Sequence, residues 1–218
     1  KRVAPHVDAE NAESWVIRTL QADPGRIEWH IRRLAGFGGS DMAVLLMEAR
    51  GLRHPFGSAR DVIEQKLCLQ APRAQVGDTA RGLHIEPFAR ESYLSITGAC
   101  PAAGSEALIE KYHATLQAQP RPWQQGNPDD VLMLPNGHIL VPDYKVPGDP
   151  DQVDEYVLHG APLYYEGQLH HYANVLRDAG VKVDELSLAP FSTRRWEAAH
   201  VPIEFSQNLA NELHEIGD

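Results

Sequence analysis

The sequence predicts an α/β or α+β architecture in one domain, on three observations. Helical periodicity with recognisable caps fills much of the first hundred residues. Two apolar runs flank a Pro-Asn-Gly turn near residue 136, a strong hairpin signal. Beyond the hairpin the chain alternates helical and strand-like stretches to its end.

At 218 residues the chain is long enough to bury a sizeable core. With 43% hydrophobic and 23% charged residues it has an ordinary globular composition, neither disordered nor fibrous. No apolar run approaches the ~20 residues of a membrane span, and no signal-peptide pattern is visible, so no membrane partner is expected. Cys68 and Cys100 are too few for a disulfide framework and point to a reducing compartment, the cytoplasm. The eleven histidines lack metal-ligand spacing, which argues against a structural zinc site.

Each element has a local reason. Asp23-Pro24 reads as N-cap and first helical residue, with Ile27, Ile31 and Leu34 at helical spacing and Gly36 as the stop. Ser40 is the expected cap of a helix through Arg50, closed by Gly51. Ser58 with Asp61 forms a capping-box pattern for a helix toward Leu69. A longer helix is expected from about Asp78 to Ser95, ending before Gly98. Pro101, Gly104, Pro120 and Pro122 punctuate a variable stretch. Apolar runs at 131–134 and 138–141 make the hairpin. Helices are expected at 151–159 and 162–178, strands near 182–190 and 197–204, and a last helix from Ser206.

Charge is unevenly spread. Residues 1–100 carry 13 Lys/Arg against 12 Asp/Glu, whereas residues 101–218 carry 7 against 18, giving −10 overall. Between Asp129 and Glu155 seven acids surround one base, Lys145. An acidic stretch is ordinarily a solvated face. Carboxylates brought together by a fold, however, raise one another's pKa or require a cation. Net acidity argues against non-specific coating of nucleic acid and leaves room for a local basic groove.

The hairpin makes the acidic stretch specific. Asp143 and Lys145, two apart on a strand, share a face. A three-residue loop over Pro135-Asn136-Gly137 pairs Leu134 with His138 and, counting outward, sets Asp129 opposite Asp143. A two-residue Asn-Gly turn would set Asp130 there instead. The first register is preferred because Pro135 presets its φ. Pro142 cannot donate to a ladder and is a candidate for a bulge. Two carboxylates and an amine on one face suit a hard divalent cation such as Mg²⁺. The D-x-K triplet alone is common and reads equally as an exposed ion pair.

The rest of the chain adds an ordered series of short motifs. These are Trp29 with Arg33, Gly38-Gly39-Ser40-Asp41, Gly82-Leu83-His84-Ile85-Glu86, Asn127-Pro128-Asp129, Asp143-Tyr144-Lys145-Val146-Pro147 and Tyr165-Glu166-Gly167-Gln168. In this order the chain resembles the PD-(D/E)XK nuclease superfamily, and within it the lambda-type phage recombination exonucleases, or alkaline exonucleases. The resemblance implies an α/β restriction-endonuclease-like core, a central mixed β-sheet flanked by helices. It implies a Mg²⁺-dependent exonuclease, with Mn²⁺ as a substitute, acting on linear double-stranded DNA from a 5′ end and leaving 3′ single-stranded overhangs. It further implies a homotrimeric ring around DNA, with a single-strand annealing protein as partner. Rival readings are an endonuclease or a CRISPR- or restriction-associated nuclease of the same fold, or a catalytically silent DNA-end-binding module.

Carried over by position, Glu86, Asp129 and Asp143 match the metal-binding carboxylates. Lys145 matches the residue that orients or deprotonates the attacking water, its pKa expected to fall beside cations. Gln168 matches a glutamine that arranges the nucleophile. Arg33, Ser40 and Asn127 match a pocket for a terminal 5′-phosphate, with Asn where Ser is more usual. The family's further phosphate-binding Arg after the motif lysine has no counterpart in Gly148-Asp149-Pro150-Asp151.

Other residues read more blandly. Gly36, Gly38 and Gly39 lack the preceding strand and following Lys of a nucleotide-binding loop. Trp29 reads as core, His170 and His171 as structural or exposed, and both cysteines as buried or inert. Arg50, Arg53, His54 and Arg60 suit either a DNA groove or solvated helix ends.

Overall fold

The computed structural model describes residues 6–72, 77–105 and 120–218. Most of the Pro- and Gly-punctuated stretch between Pro101 and Pro122 lies outside them. In chain order the elements are α1 (Ala9–Ala22), a 3₁₀ turn (Pro24–Arg26), α2 (Ile27–Arg33), α3 (Gly39–Ala49), α4 (Ala59–Lys66), α5 (Asp78–Thr97), β1 (Cys100–Pro101), β2 (Leu132–Met133), β3 (Ile139–Lys145), α6 (Asp151–His159), α7 (Leu163–Asp178), β4 (Glu185–Ser192), β5 (Glu197–Ala198), β6 (Val201–Ile203) and α8 (Gln207–Gly217).

The sheet runs β1-β2-β3-β4, with β5 and β6 both pairing the far side of β4. Only β3 and β4 are parallel. A mixed sheet flanked by helices is the α/β alternative of the two predicted from sequence. The period-two alternation of β3 divides the core. Val141 packs with Leu169, Tyr172, Ala173 and Leu176 of α7, whereas Leu140 and Tyr144 pack with Ala89 and Tyr93 of α5. Asp143 and Lys145 share the parity of Val141 and so face α7.

The hairpin has the expected three-residue loop. The Leu134 N–H donates to the His138 carbonyl at 2.9 Å, and the Gly137 N–H to the Leu134 carbonyl at 2.9 Å, with Gly137 at φ +84°. Leu132 pairs with Leu140 and Met133 with Ile139, the register whose continuation brings Asp129 level with Asp143. β2 ends after these two pairs, so beyond Leu140 that side of β3 has no partner strand among the described residues. The missing N–H of Pro142 falls on that open side. The expected bulge does not form, and β3 pairs with β4 in continuous register from Leu140 to Lys145.

Other boundaries shift for identifiable reasons. The cap of α3 is Gly38 rather than Ser40, because the Asp41 carboxylate reaches back to accept the Gly38 N–H at 2.9 Å. Asp23 is spent on His30, 3.0 Å from its Nε2, and Pro24 opens a 3₁₀ turn before α2. α4 keeps its Ser58–Asp61 capping box but stops at Lys66. The region 197–204, expected as one strand, breaks into β5 and β6. Helix α1, capped by the Asp8 side chain, has no counterpart among the expected elements; it buries Trp15 against Leu34 and Cys68. Arg50 and Arg60 are engaged by Glu212 and Glu64.

A close backbone approach links α2–α3 to the segment carrying Asn127 and Asp129. The Phe37 N–H donates to the Trp123 carbonyl at 2.7 Å, and the Gln125 N–H to the Phe37 carbonyl at 3.0 Å. A Cβ on Gly36 would lie 2.1 Å from the Trp123 carbonyl oxygen. Gly36→Ala is therefore expected to destabilise the fold by about 1–3 kcal/mol, read as a lowered urea midpoint.

Candidate active site

At the C-terminal end of β3, Asp143 is fully buried. Its Oδ1 accepts a hydrogen bond from Gln168 Nε2 at 2.8 Å, and its Oδ2 lies 2.5 Å from the Lys145 ammonium. Gln168 also donates to the Tyr172 hydroxyl at 3.1 Å, which holds the amide in place. Lys145 Nζ stands 5.3 Å from the centre of the Tyr165 ring, also on α7. One face of one helix therefore frames both strand residues.

Asp129 completes the open side of β3. Its Oδ2 accepts the Tyr144 N–H at 2.8 Å, in the place where a longer β2 would have supplied a carbonyl. Asp130 turns the other way, to Arg90 at 2.6 Å and the Tyr144 hydroxyl at 3.2 Å. Of the two adjacent acids, only Asp129 joins the Asp143 cluster. Glu86 comes from α5, one turn before Ala89 on the stripe that packs on the sheet, and its charge is felt by Asp129 and Lys145.

Crowding of acids governs the electrostatics. Burial, reinforced by the Asp143 charge, pushes the Asp129 carboxyl up to about 8 against the pull of Lys145. Burial also raises Glu86, while Lys145 lowers it. Burial disfavours the Lys145 ammonium, but Asp143 and Asp129 outweigh it and the net shift is upward. The upward direction reflects the carboxylates that surround the lysine.

Arg33, Ser40 and Asn127 converge as well. With Trp29, Asp129 and Tyr172 they line a small cavity of about 120 Å³. Arg33 and Ser40 also border a larger cavity of about 670 Å³ that contains Lys145 and Gln168. Glu86 borders neither. Among the described residues, no three His, Cys, Asp or Glu stand close enough to hold a metal ion as the side chains lie.

Two features have no counterpart in the sequence-based expectations. Trp29 is not core: it is half-buried on the cavity wall, between the guanidiniums of Arg26 at 4.0 Å and Arg33 at 4.8 Å. Arg33 itself is held by a knot. Its Nη2 donates to Asp41 at 3.1 Å and Ser40 Oγ at 3.3 Å, and Lys66 Nζ donates to Asp41 at 2.7 Å and the Arg33 carbonyl at 2.8 Å. No spacing rule links Lys66 to Arg33; only the packing of α4 does. Of the residues read more blandly, His170 and His171 are buried and hydrogen-bonded, consistent with structural roles. Cys68 is buried, which pushes its thiol up to about 11, but Cys100 is exposed rather than buried.

No protein-family model matches the sequence, and no curated protein matches it significantly. Among the solved structures that resemble it are two of LHK-Exo. One is LHK-Exo in complex with dAMP, 18% identical over 87% of each chain with a TM-score of 0.61. The other is LHK-Exo described as an alkaline exonuclease from Laribacter hongkongensis, 17% identical over the same shares, TM-score 0.61. The chain has the alkaline-exonuclease fold. At this identity the likeness establishes architecture, in agreement with the sheet and flanking helices expected from the motifs. No helix among the described residues is long and apolar enough to cross a membrane.

The Asp41 knot carries a pH signature. Burial alone would raise this carboxyl, but Arg33 and Lys66 hold it near 2, below its ordinary 3.8. A depressed carboxyl stabilises the fold above its unfolded pKa and loses that contribution as pH falls through the folded one. A shift of nearly two pKa units amounts to roughly 2–3 kcal/mol. The stability gap between wild type and Asp41→Asn should be widest at neutral pH and close between about pH 4 and 2, followed by urea unfolding across that range.

Proposed function

We propose that this protein is a Mg²⁺-dependent exonuclease acting on the ends of double-stranded DNA. The observation that carries the reading is the grouping of Asp143, Asp129 and Lys145 beside the Arg33–Ser40 cavities, within the alkaline-exonuclease fold. Oxygen donors of this kind suit a hard cation. Three crowded acids facing one ammonium also leave an uncompensated negative charge, met by a proton on Asp129 when no cation is bound. Asp129 and Asp143 would hold the metal, with Mn²⁺ as a substitute, and Glu86 would join them only after its side chain turns toward them, since among the described residues no three acids converge as the side chains lie. Bound metal supplies a nucleophilic water and relieves charge on the phosphate.

The protein's own groups do the rest. Lys145, kept protonated by its carboxylates, donates to and orients the attacking water. Gln168 fixes Asp143 through Oδ1 and so limits its rotation. Arg33 engages a terminal 5′-phosphate, held ready by Asp41 and backed by the α3 amides and the Ser40 hydroxyl. Lys66, on the wall of the same cavity, adds positive charge where the family's further Arg is missing. Cleavage from the 5′ end, 3′ overhangs, a homotrimeric ring, an annealing protein as partner, a single-domain organisation and a cytoplasmic setting belong to the same reading and rest on the motif resemblance.

The decisive experiment is digestion of linear and circular duplex DNA with Mg²⁺ or with chelator, with and without a 5′-phosphate. Loss of linear DNA alone, faster with the phosphate, is expected. A cut circle would favour an endonuclease, and intact DNA throughout a silent end-binding module.

Asp129→Asn separates chemistry from stability. A carboxyl whose folded pKa is raised costs the folded state progressively more as pH climbs from its unfolded value to about 8. In chelator the variant should exceed wild type by roughly 1 kcal/mol or more at pH 9 and match it below pH 4. Cleavage should fall by ~100-fold or more.

A further inference from the structure

The larger cavity has a wall that the proposed chemistry does not use. His54, Phe56 and Tyr164 line it together with Lys145, Gln168 and Arg33. The three rings meet edge to face: His54–Phe56 at 5.8 Å, His54–Tyr164 at 5.4 Å and Phe56–Tyr164 at 6.0 Å. Phe56 is 62% exposed, although it is among the most apolar side chains of the protein. Its position is set rather than loose, because its N–H donates to His54 Nδ1 at 3.2 Å. Tyr164 lies tilted against Tyr165 with ring centres 4.4 Å apart, and Tyr165 lies under the Lys145 ammonium at 5.3 Å. An aromatic path thus runs from the cavity mouth to the cluster at the end of β3. Burial lowers the His54 pKa and leaves the ring a neutral aromatic surface.

Cations at the floor and bare aromatic faces at the mouth of one 670 Å³ cavity match a ligand with an anionic end and a flat apolar body. A nucleotide has that division, and aromatic faces hold bases by stacking with little regard to sequence. We propose that Phe56, with His54 and Tyr164, is the stacking platform for a nucleobase of the strand whose terminal phosphate lies on Arg33. The inference rests on the nuclease reading above and adds a base-binding site to it. Because stacking grows with ring area, a purine in that position binds more tightly than a pyrimidine.

The test uses the whole protein and a 5′-phosphorylated duplex with 2-aminopurine as the 5′-terminal base. In chelator, wild type should change the 2-aminopurine emission and Phe56→Trp should keep that change, while Phe56→Ala loses it and binds the duplex about ten-fold more weakly. With Mg²⁺, Phe56→Ala should raise KM by a similar factor at nearly constant kcat, and should erase the preference for a terminal purine. Phe56 is exposed, so an unchanged urea midpoint is expected and keeps the comparison clean. A wild type that cuts DNA while Phe56→Ala leaves emission and KM unmoved overturns the platform and spares the nuclease. An emission change that needs the probe at an internal base shows that another base lies there and also overturns the assignment to the terminus. A wild type that neither binds nor cuts duplex DNA overturns both.

Discussion

The site depends on β2 being too short. It pairs with β3 over two residues only, so the far half of β3 presents backbone donors on an edge with no strand beside it. An open edge inside a protein must be satisfied by something, and here the Asp129 side chain takes the Tyr144 N–H. That one bond draws a carboxylate into the plane of the sheet, next to the buried Asp143. A third ladder pair in its place would have made a better hairpin and left no cluster.

Electrostatic tension results, and packing holds it. Asp143 has no exposed surface, and the one ammonium against it has to serve Asp129 and Glu86 as well. A proton on Asp129 relieves the excess of acid up to about pH 8, and α5 and α7, packed on opposite faces of β3, hold the group together. The same economy operates at Arg33, where Asp41 and Lys66 fix a guanidinium that would otherwise sample many rotamers. On the proposed reading, fixing it in advance lowers the entropy that binding a terminal phosphate would cost.

Much of this is legible along the chain because it is local. Period two puts Asp143 and Lys145 on one face, and a Pro-Asn-Gly loop determines which aspartate comes level with them. The ordered motifs bring in Glu86, Gln168, Arg33, Ser40 and Asn127. The hidden part depends on chain segments far apart in sequence. Lys66 meets Asp41 only because α4 packs on α3, and Phe56 meets Tyr164 across more than a hundred residues. Trp29 looks like core because its apolar bulk is visible in the sequence; the motif series already pairs it with Arg33, but the contact with Arg26 emerges only once α2 is placed. Ser40 loses the cap of α3 to Gly38 because the Asp41 carboxylate, at the third position of the helix, reaches back to the Gly38 N–H and starts the helix one residue before Ser40.

The parallel pairing of β3 with β4 has a consequence for biosynthesis. Asp143 and Lys145 sit on a strand whose main partner is synthesised some forty residues later, after both α6 and α7. A nascent chain emerging from the ribosome therefore holds its acids and its lysine without the framework that aligns them. An incomplete copy therefore lacks the β4 pairing that sets Asp143 and Lys145 in register, and the order of the elements makes their alignment one of the last events of synthesis.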